Sequence, residues 1–206
     1  MTGFEQKVHS YFDARTSTLG RIKARSMGAD SLTLTALGVL VYAQLEGGVK
    51  DLAACVLKDP GLRSLTLGEI KPQLLRWRNP GEIDRFKAML DFDNIATPSP
   101  FAAMLAGRFE VKNINRRNEL NQMGWEAIKS VYRGLGLDYS EIESLRTKID
   151  EIVDNRNEAA HHGVLKGTAA TILEKQVRDN AVVVENVLTH FSLQLLPFFV
   201  NRMHKR

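Results

Sequence analysis

The chain of 206 residues is patterned with a helical period almost throughout. Apolar positions recur at spacings of three and four, which puts them on one face of an α-helix, and no strand-like alternation persists. Residues 4–28 carry Phe4, Val8, Phe12, Leu19 and Ile22 in this register, with Arg21, Lys23 and Arg25 near the far end. A second helix is expected to begin after Ser31 or Thr33 and to reach about Leu57. Its stripe is Leu34, Leu37, Val41, Leu45, Val49, Leu52 and Val56, and Asp59-Pro60-Gly61 stops it. The proline-rich stretch 60–115 is less regular, with short helical pieces around 67–77 and 82–91 and a loop at DFDNIATPSP. From Asn115 the signal returns: Leu120, Met123, Ile128 and Val131 describe one helix, closed by Gly134-Leu135-Gly136. Ser140-Glu141-Ile142-Glu143 has the form of a capping box opening a helix that runs to about His161 and ends at Gly163. A last helix covers roughly 168–203, kinked or interrupted by Pro197. The expected fold is all-α: an antiparallel helical bundle in one domain, 1–206, with residues 58–114 as an irregular helical excursion or insertion.

Composition narrows the class further. Apolar residues make up 44% and charged residues 25%, the mix of a globular domain, so disorder and low complexity are poor readings. A chain of this length buries roughly 70% of the surface its unfolded form exposes, enough for a core without disulfides or metal. The net charge of +4 and pI near 9.2 suit an anionic partner without demanding one. The lone cysteine, Cys55, lies in the apolar run 51–57, and no histidine or aspartate placement around it suggests a nucleophile. It reads as a small core residue in a reducing cytosol. The opening MTGFEQKVHSYF lacks an apolar signal region, and about eighteen apolar residues never run together. The expected location is therefore the cytoplasm, with no membrane partner.

The stripe on residues 140–162 is where the pattern breaks. It reads Ile142, Leu145, Ile149, Ile152, then Arg156, then Ala159, so an arginine occupies a position that faces the core or a partner helix. An unpaired buried guanidinium costs several kcal/mol, so Arg156 must meet a carboxylate, a ligand or a wet cleft. The bland alternative is that it snorkels or pairs with a core glutamate. On the neighbouring ridge stand Asp150, Asp154, Asn157 and His161, the last two one turn apart. A cation, an amide and an imidazole within two turns suit RNA cleavage. The guanidinium can hold the scissile phosphate and its extra transition-state charge, and the imidazole can move protons at the 2′-hydroxyl or the 5′-oxygen. His162 fits the plainer role of a contact with the helix C-terminal dipole.

These residues resemble a family. Arg156-Asn157-Glu158-Ala159-Ala160-His161 is similar to the Arg-polar-x-x-x-His signature of HEPN nucleases, placed on the penultimate long helix where that superfamily carries it. The flanking Ile149-Asp150-Glu151-Ile152-Val153-Asp154 and Gly163 also resemble the nuclease-like branch. So does Tyr42-Ala43-Gln44-Leu45-Glu46-Gly47-Gly48-Val49-Lys50 in the second helix, matching that branch's aromatic-Ala-x-x-Glu-Gly element. The resemblance covers residues 1–57 and 115–203. It implies a metal-independent, cofactor-free endoribonuclease acting as a homodimer, each protomer giving Arg156 and His161 to a shared cleft. RNA would be left with 2′,3′-cyclic phosphate and 5′-hydroxyl ends. It also implies a toxin or antiviral (phage-defence) effector restrained by an inhibitory antitoxin. Because the histidine is doubled, Arg156 pairs with either His161 or His162; Asn157, one turn below, favours His161.

Weaker signals stay open. Glu46 and Lys50 form a surface pair, or Glu46 is the carboxylate that orients Arg156. Asp154 and His162 are candidates for supporting roles. Lys112, Arg116, Arg117, Arg202, Lys205 and Arg206 hold RNA phosphates or form a solvated face, and Trp77 between Arg76 and Arg78 hints at base stacking. No Walker loop, dinucleotide fingerprint or metal-ligand spacing appears. The rival readings are a non-catalytic HEPN-like module binding RNA, nucleotide or a partner protein, and a plain dimeric helical scaffold.

Overall fold

A computed structural model describes residues 3–75, 77, 106–108, 122–163 and 169–200. The expected helix at 82–91, the loop at 91–100, and basic residues Lys112, Arg116, Arg117, Arg202, Lys205 and Arg206 lie outside the described residues. The helices are α1 (Gly3–Arg25), α2 (Ser31–Leu57), α3 (Pro60–Arg63), α4 (Pro72–Leu75), α5 (Trp125–Leu135), α6 (Arg146–His162) and α7 (Ala170–Val200). Among the described residues there is no strand, only an isolated bridge between Thr66 and Arg108.

The bundle is built on α2, which packs against α1, α6 and α7. Leu34, Leu45, Val49 and Val56 are wholly buried along it, each contributing about 1.5–3 kcal/mol relative to exposure. Asp30 opens α2 by accepting the Thr33 amide at 2.7 Å, so the cap lies one residue before the expected start. By length and composition alone α2 is apolar enough to cross a membrane, although its apolar residues are interrupted by polar ones. Half of that apolar window is buried inside the bundle, as a central helix requires. Gly48 lets α7 close on α2, because a Cβ there would stand 2.6 Å from Leu188 Cδ2.

Several boundaries differ from expectation for identifiable reasons. The capping box at Ser140 does not form. Asp138, two residues earlier, accepts both the Ser140 amide and its hydroxyl at 2.9 Å, and this local turn leaves Ser140–Leu145 as a 3-10 lead-in to α6. Met123 falls outside α5, because Gly124 is its N-cap. Asp150 of α6 accepts the Trp125 amide at 2.9 Å and so docks the start of α5. Gly136 and Gly163 close α5 and α6 with φ of 71° and 72°, the left-handed conformation that favours glycine. α7 continues through Pro197 to Val200 without interruption. Trp77 is buried, its Nε1 donating to the Gly134 carbonyl at 2.8 Å. It is a core anchor, not a stacking platform. Cys55 is also in the core, where burial raises its thiol pKa to about 11.

Candidate active site

Two stretches far apart in the chain meet where α6 packs on α2. Arg156 leaves the apolar stripe of α6 half-buried, and its guanidinium carbon stands 5.4 Å from the centre of the Tyr42 ring, within cation–π range. Its Nη1 donates to Asn157 Oδ1 at 3.1 Å. No carboxylate of a described residue forms an ion pair with it. Among the described residues the cation is therefore met by a ring face and an amide, both neutral. Core glutamate pairing, the plain alternative for Arg156, is not what these residues do.

Tyr42 is buried, and its hydroxyl accepts the Met123 amide at 3.2 Å. Burial raises its pKa; the charge of Glu46 adds to the rise, while the Met123 amide and the Arg156 charge oppose it. The ring is thus a neutral platform between a carboxylate and a guanidinium. Glu46 makes its ion pair with Lys50, one turn on, and none with Arg156. The pair that Glu46 makes with Lys50 is partly buried, with side chains 28% and 17% exposed. Gly47 leaves room for the Arg15 guanidinium, which would lie 2.7 Å from a Cβ there and which bonds Gln44 and Asp51.

Asn157 is half-buried beside Arg156, whereas Asp154, His161 and His162 are exposed. The two imidazole rings lie 6.4 Å apart at 56°, at the C-terminal end of α6. Arg156 and Asn157 are joined directly, and His161 lies on Asn157's ridge one turn further. Around the helix, however, His161 is about 140° from Arg156. A single protomer therefore shows a guanidinium on the α2 side and histidines facing solvent. Tyr42 was visible in the motif of α2 without a role. Its i,i+4 relation to Glu46 hinted at a shared face, but its partner on α6 had no local signal.

A family model described as RiboL-PSP-HEPN matches residues 20–196. The chain belongs to the RiboL-PSP-HEPN family. The match takes in Tyr42 and Glu46 on α2, Arg156 and both histidines on α6, and all of residues 58–114. Members of the HEPN superfamily are often ribonucleases, so an RNA-related role is the functional statement that membership supports. No curated protein and no solved structure matches the chain. Among the described residues of this HEPN domain, no three His, Cys, Asp or Glu side chains gather as a metal site would need.

Proposed function

We propose that this HEPN protein is a metal-independent endoribonuclease whose site is completed by a second copy of the chain. The observation that carries the reading is Arg156, a half-buried guanidinium stacked on Tyr42 and bonded to Asn157 with no carboxylate of a described residue neutralising it. Such a group binds a phosphodiester and stabilises the charge that builds on it in the transition state. The 2′-oxygen attacks phosphorus, the bond to the 5′-oxygen breaks, and the proton lost by the 2′-hydroxyl is made up at the leaving oxygen. His161 and its counterpart in the partner take the base and acid roles, giving a 2′,3′-cyclic phosphate and a 5′-hydroxyl. Asn157 steadies the guanidinium, and His162 serves the helix terminus.

Dimerisation along α6 is supported by the exposure of both histidines and their angular distance from Arg156, which one protomer does not resolve. Light scattering tests it: a monomer at micromolar concentration counts heavily against a composite site. A toxin or phage-defence role, restrained by an antitoxin protein, and a cytoplasmic location rest on the resemblance alone. Growth arrest on expression of wild type, but not of His161→Ala, checks the toxic role. The decisive experiment for the chemistry is total RNA incubated in EDTA with wild type and His161→Ala. Cyclic phosphate ends from wild type alone are expected; 3′-hydroxyl ends, or activity only with added divalent metal, oppose the proposal. The exposed histidines also favour a second reading, an RNA- or protein-binding module, should the chain prove monomeric and inert.

A further inference from the structure

Away from Arg156, α7 and the 3-10 lead-in to α6 border an open cleft of about 410 Å³, lined by Glu141, Leu145, Asn186, Thr189, His190 and Leu193 among others. That volume is within the range of small-molecule sites. Among the lining residues is His190, 8% exposed as a residue. The ring stacks on Tyr132 at a centroid distance of 5.6 Å, and Nδ1 lies 3.0 Å from the Tyr132 hydroxyl. The other nitrogen, Nε2, is buried and has no hydrogen-bond partner. It stands 3.5 Å from Glu141 Oε2, on a side chain 78% exposed. A buried polar atom without a partner is rare enough to need an explanation.

The tautomer follows from the neighbours. Tyr132 is fully buried and burial pushes its hydroxyl pKa far upward, so it keeps its proton and can donate to Nδ1. Nε2 then carries the hydrogen and points it toward the Glu141 carboxylate. The opposite tautomer would set two lone-pair acceptors against each other 3.5 Å apart. Glu141 covers this N–H, and because its side chain is exposed it can swing aside, leaving a cleft with an N–H donor beside a carboxylate, bordered also by Asn186, Thr189, Leu145 and Leu193.

We propose that this cleft binds a guanine base, its O6 accepting from His190 Nε2–H and its N1–H and N2–H donating to the two oxygens of Glu141. Guanine is the base whose edge sets a carbonyl beside two donors. Hypoxanthine lacks the second donor, uracil sets a second carbonyl against the carboxylate, and adenine and cytosine present a donor where His190 donates. Leu145 precedes Arg156 by roughly 16 Å along the helix. The bound base therefore belongs to a free nucleotide, or to an RNA residue removed from the scissile phosphate. The RNA form rests on the nuclease reading above; the recognition itself does not.

The test titrates the full-length Arg156→Ala protein with GMP, IMP, UMP, AMP and CMP by calorimetry, and with oligouridylate carrying one guanosine or none. Using the Arg156 variant keeps the outcome independent of cleavage. GMP is expected to bind most tightly, then IMP, then UMP, with AMP and CMP inert. Glu141→Gln, at an exposed side chain, should weaken GMP by about tenfold or more, the scale of one bidentate base contact. The His190 Nε2 nitrogen resonance should move on GMP addition and stay put with AMP. Binding of the guanosine-containing oligomer above the plain one assigns the site to RNA, and GMP binding without it assigns a free nucleotide; either supports the proposal. No GMP binding at millimolar concentration, equal binding of AMP, or full affinity in Glu141→Gln overturns it.

Discussion

Replacing Tyr42 first by phenylalanine and then by leucine separates what its hydroxyl does from what its ring does. Phenylalanine keeps the face beneath Arg156 but removes the oxygen that accepts the Met123 amide at 3.2 Å. Tyr42 and Met123 are 4% and 0% exposed, so the abandoned N–H has no water to turn to. The cost is about 1–3 kcal/mol of stability. Leucine carries the same loss and also removes the cation–π contact at 5.4 Å, which adds about 0.5–1 kcal/mol at a half-buried cation. Catalysis should respond differently. Tyr42→Phe still holds the guanidinium and should cleave within about twofold of wild type per folded molecule. Tyr42→Leu frees Arg156 to wander, and misplacement by about 1 Å costs up to about 100-fold, so a loss of tenfold or more is expected. Urea denaturation gives the stabilities, and single-turnover cleavage of a labelled RNA gives the rates. Full activity in folded Tyr42→Leu would show that the ring does not position Arg156. Inactivity in Tyr42→Phe equal to that of Tyr42→Leu would place the hydroxyl in the chemistry and refute the division made here.

Other measurements bear on the site and the scaffold. Arg156→Ala and His161→Ala should each lower cleavage by about 10²-fold or more, far from additively because both act on one phosphate, with His162→Ala close to wild type; full activity in all three removes catalysis from α6. Stability should fall in alkali. Cys55, whose thiol is raised from 9.0 to about 11, and Tyr42 and Tyr132, also raised, keep their protons in the native fold after the unfolded chain has lost them. The stability is therefore full below about pH 9 and declines as pH climbs through 11, by roughly 2–3 kcal/mol from Cys55. Denaturation midpoints unchanged between pH 8 and 11 would contradict this, and Cys55→Ala should flatten the early part of the fall. Gly48→Ala should destabilise by about 1–3 kcal/mol, because its Cβ meets the fully buried Leu188 at 2.6 Å. Gly47→Ala meets only the movable end of Arg15, so helix propensity should leave it neutral or slightly stabilised; equal thermal shifts for the two variants would refute this packing argument.

How much of this could be read from sequence depends on the range of the interaction involved. The five longer helices (α1, α2, α5, α6 and α7) follow from three-four periodicity, and Gly136 and Gly163 mark the ends of α5 and α6 because a left-handed residue closes a helix that way. Arg156 could be singled out for the same reason, since a cation on an apolar stripe contradicts its register. Starts were harder. The cap of α2 is Asp30 where Ser31 or Thr33 was expected, and Asp138 took the Ser140 hydroxyl that a capping box needed; nearby side chains offering the same chemistry are not ranked by spacing. Contacts between distant residues were hardest. Nothing local ties Tyr42 to Arg156, His190 to Tyr132, or Trp77 to Gly134, and it took the packing of α2, α5, α6 and α7 to bring them together.

The doubled histidine gains a geometric meaning once Arg156 is placed. At about 100° per residue, His161 lies about 140° to one side of Arg156 and His162 about 120° to the other. Both rings therefore lie on the side of α6 turned away from the arginine, displaced in opposite directions around it, and both are exposed. A second α6 laid across the first on a two-fold axis approaches one flank more closely than the other, according to the hand of the crossing. The Arg156–Asn157 hydrogen bond breaks the symmetry within a protomer, since it draws the guanidinium toward the ridge that His161 shares. On the proposed reading, His161 is then the histidine nearer the phosphate, and the crossing must bring the partner's α6 against that same flank. A cross-linking experiment states the consequence. With Cys55 replaced by alanine, cysteines introduced singly at Asn157 and at His162 differ in their chance to meet their symmetry mates. The 157 pair should link readily and the 162 pair poorly. The reverse pattern would move catalysis to His162, leaving Arg156 in its role and exchanging only the imidazole that serves it.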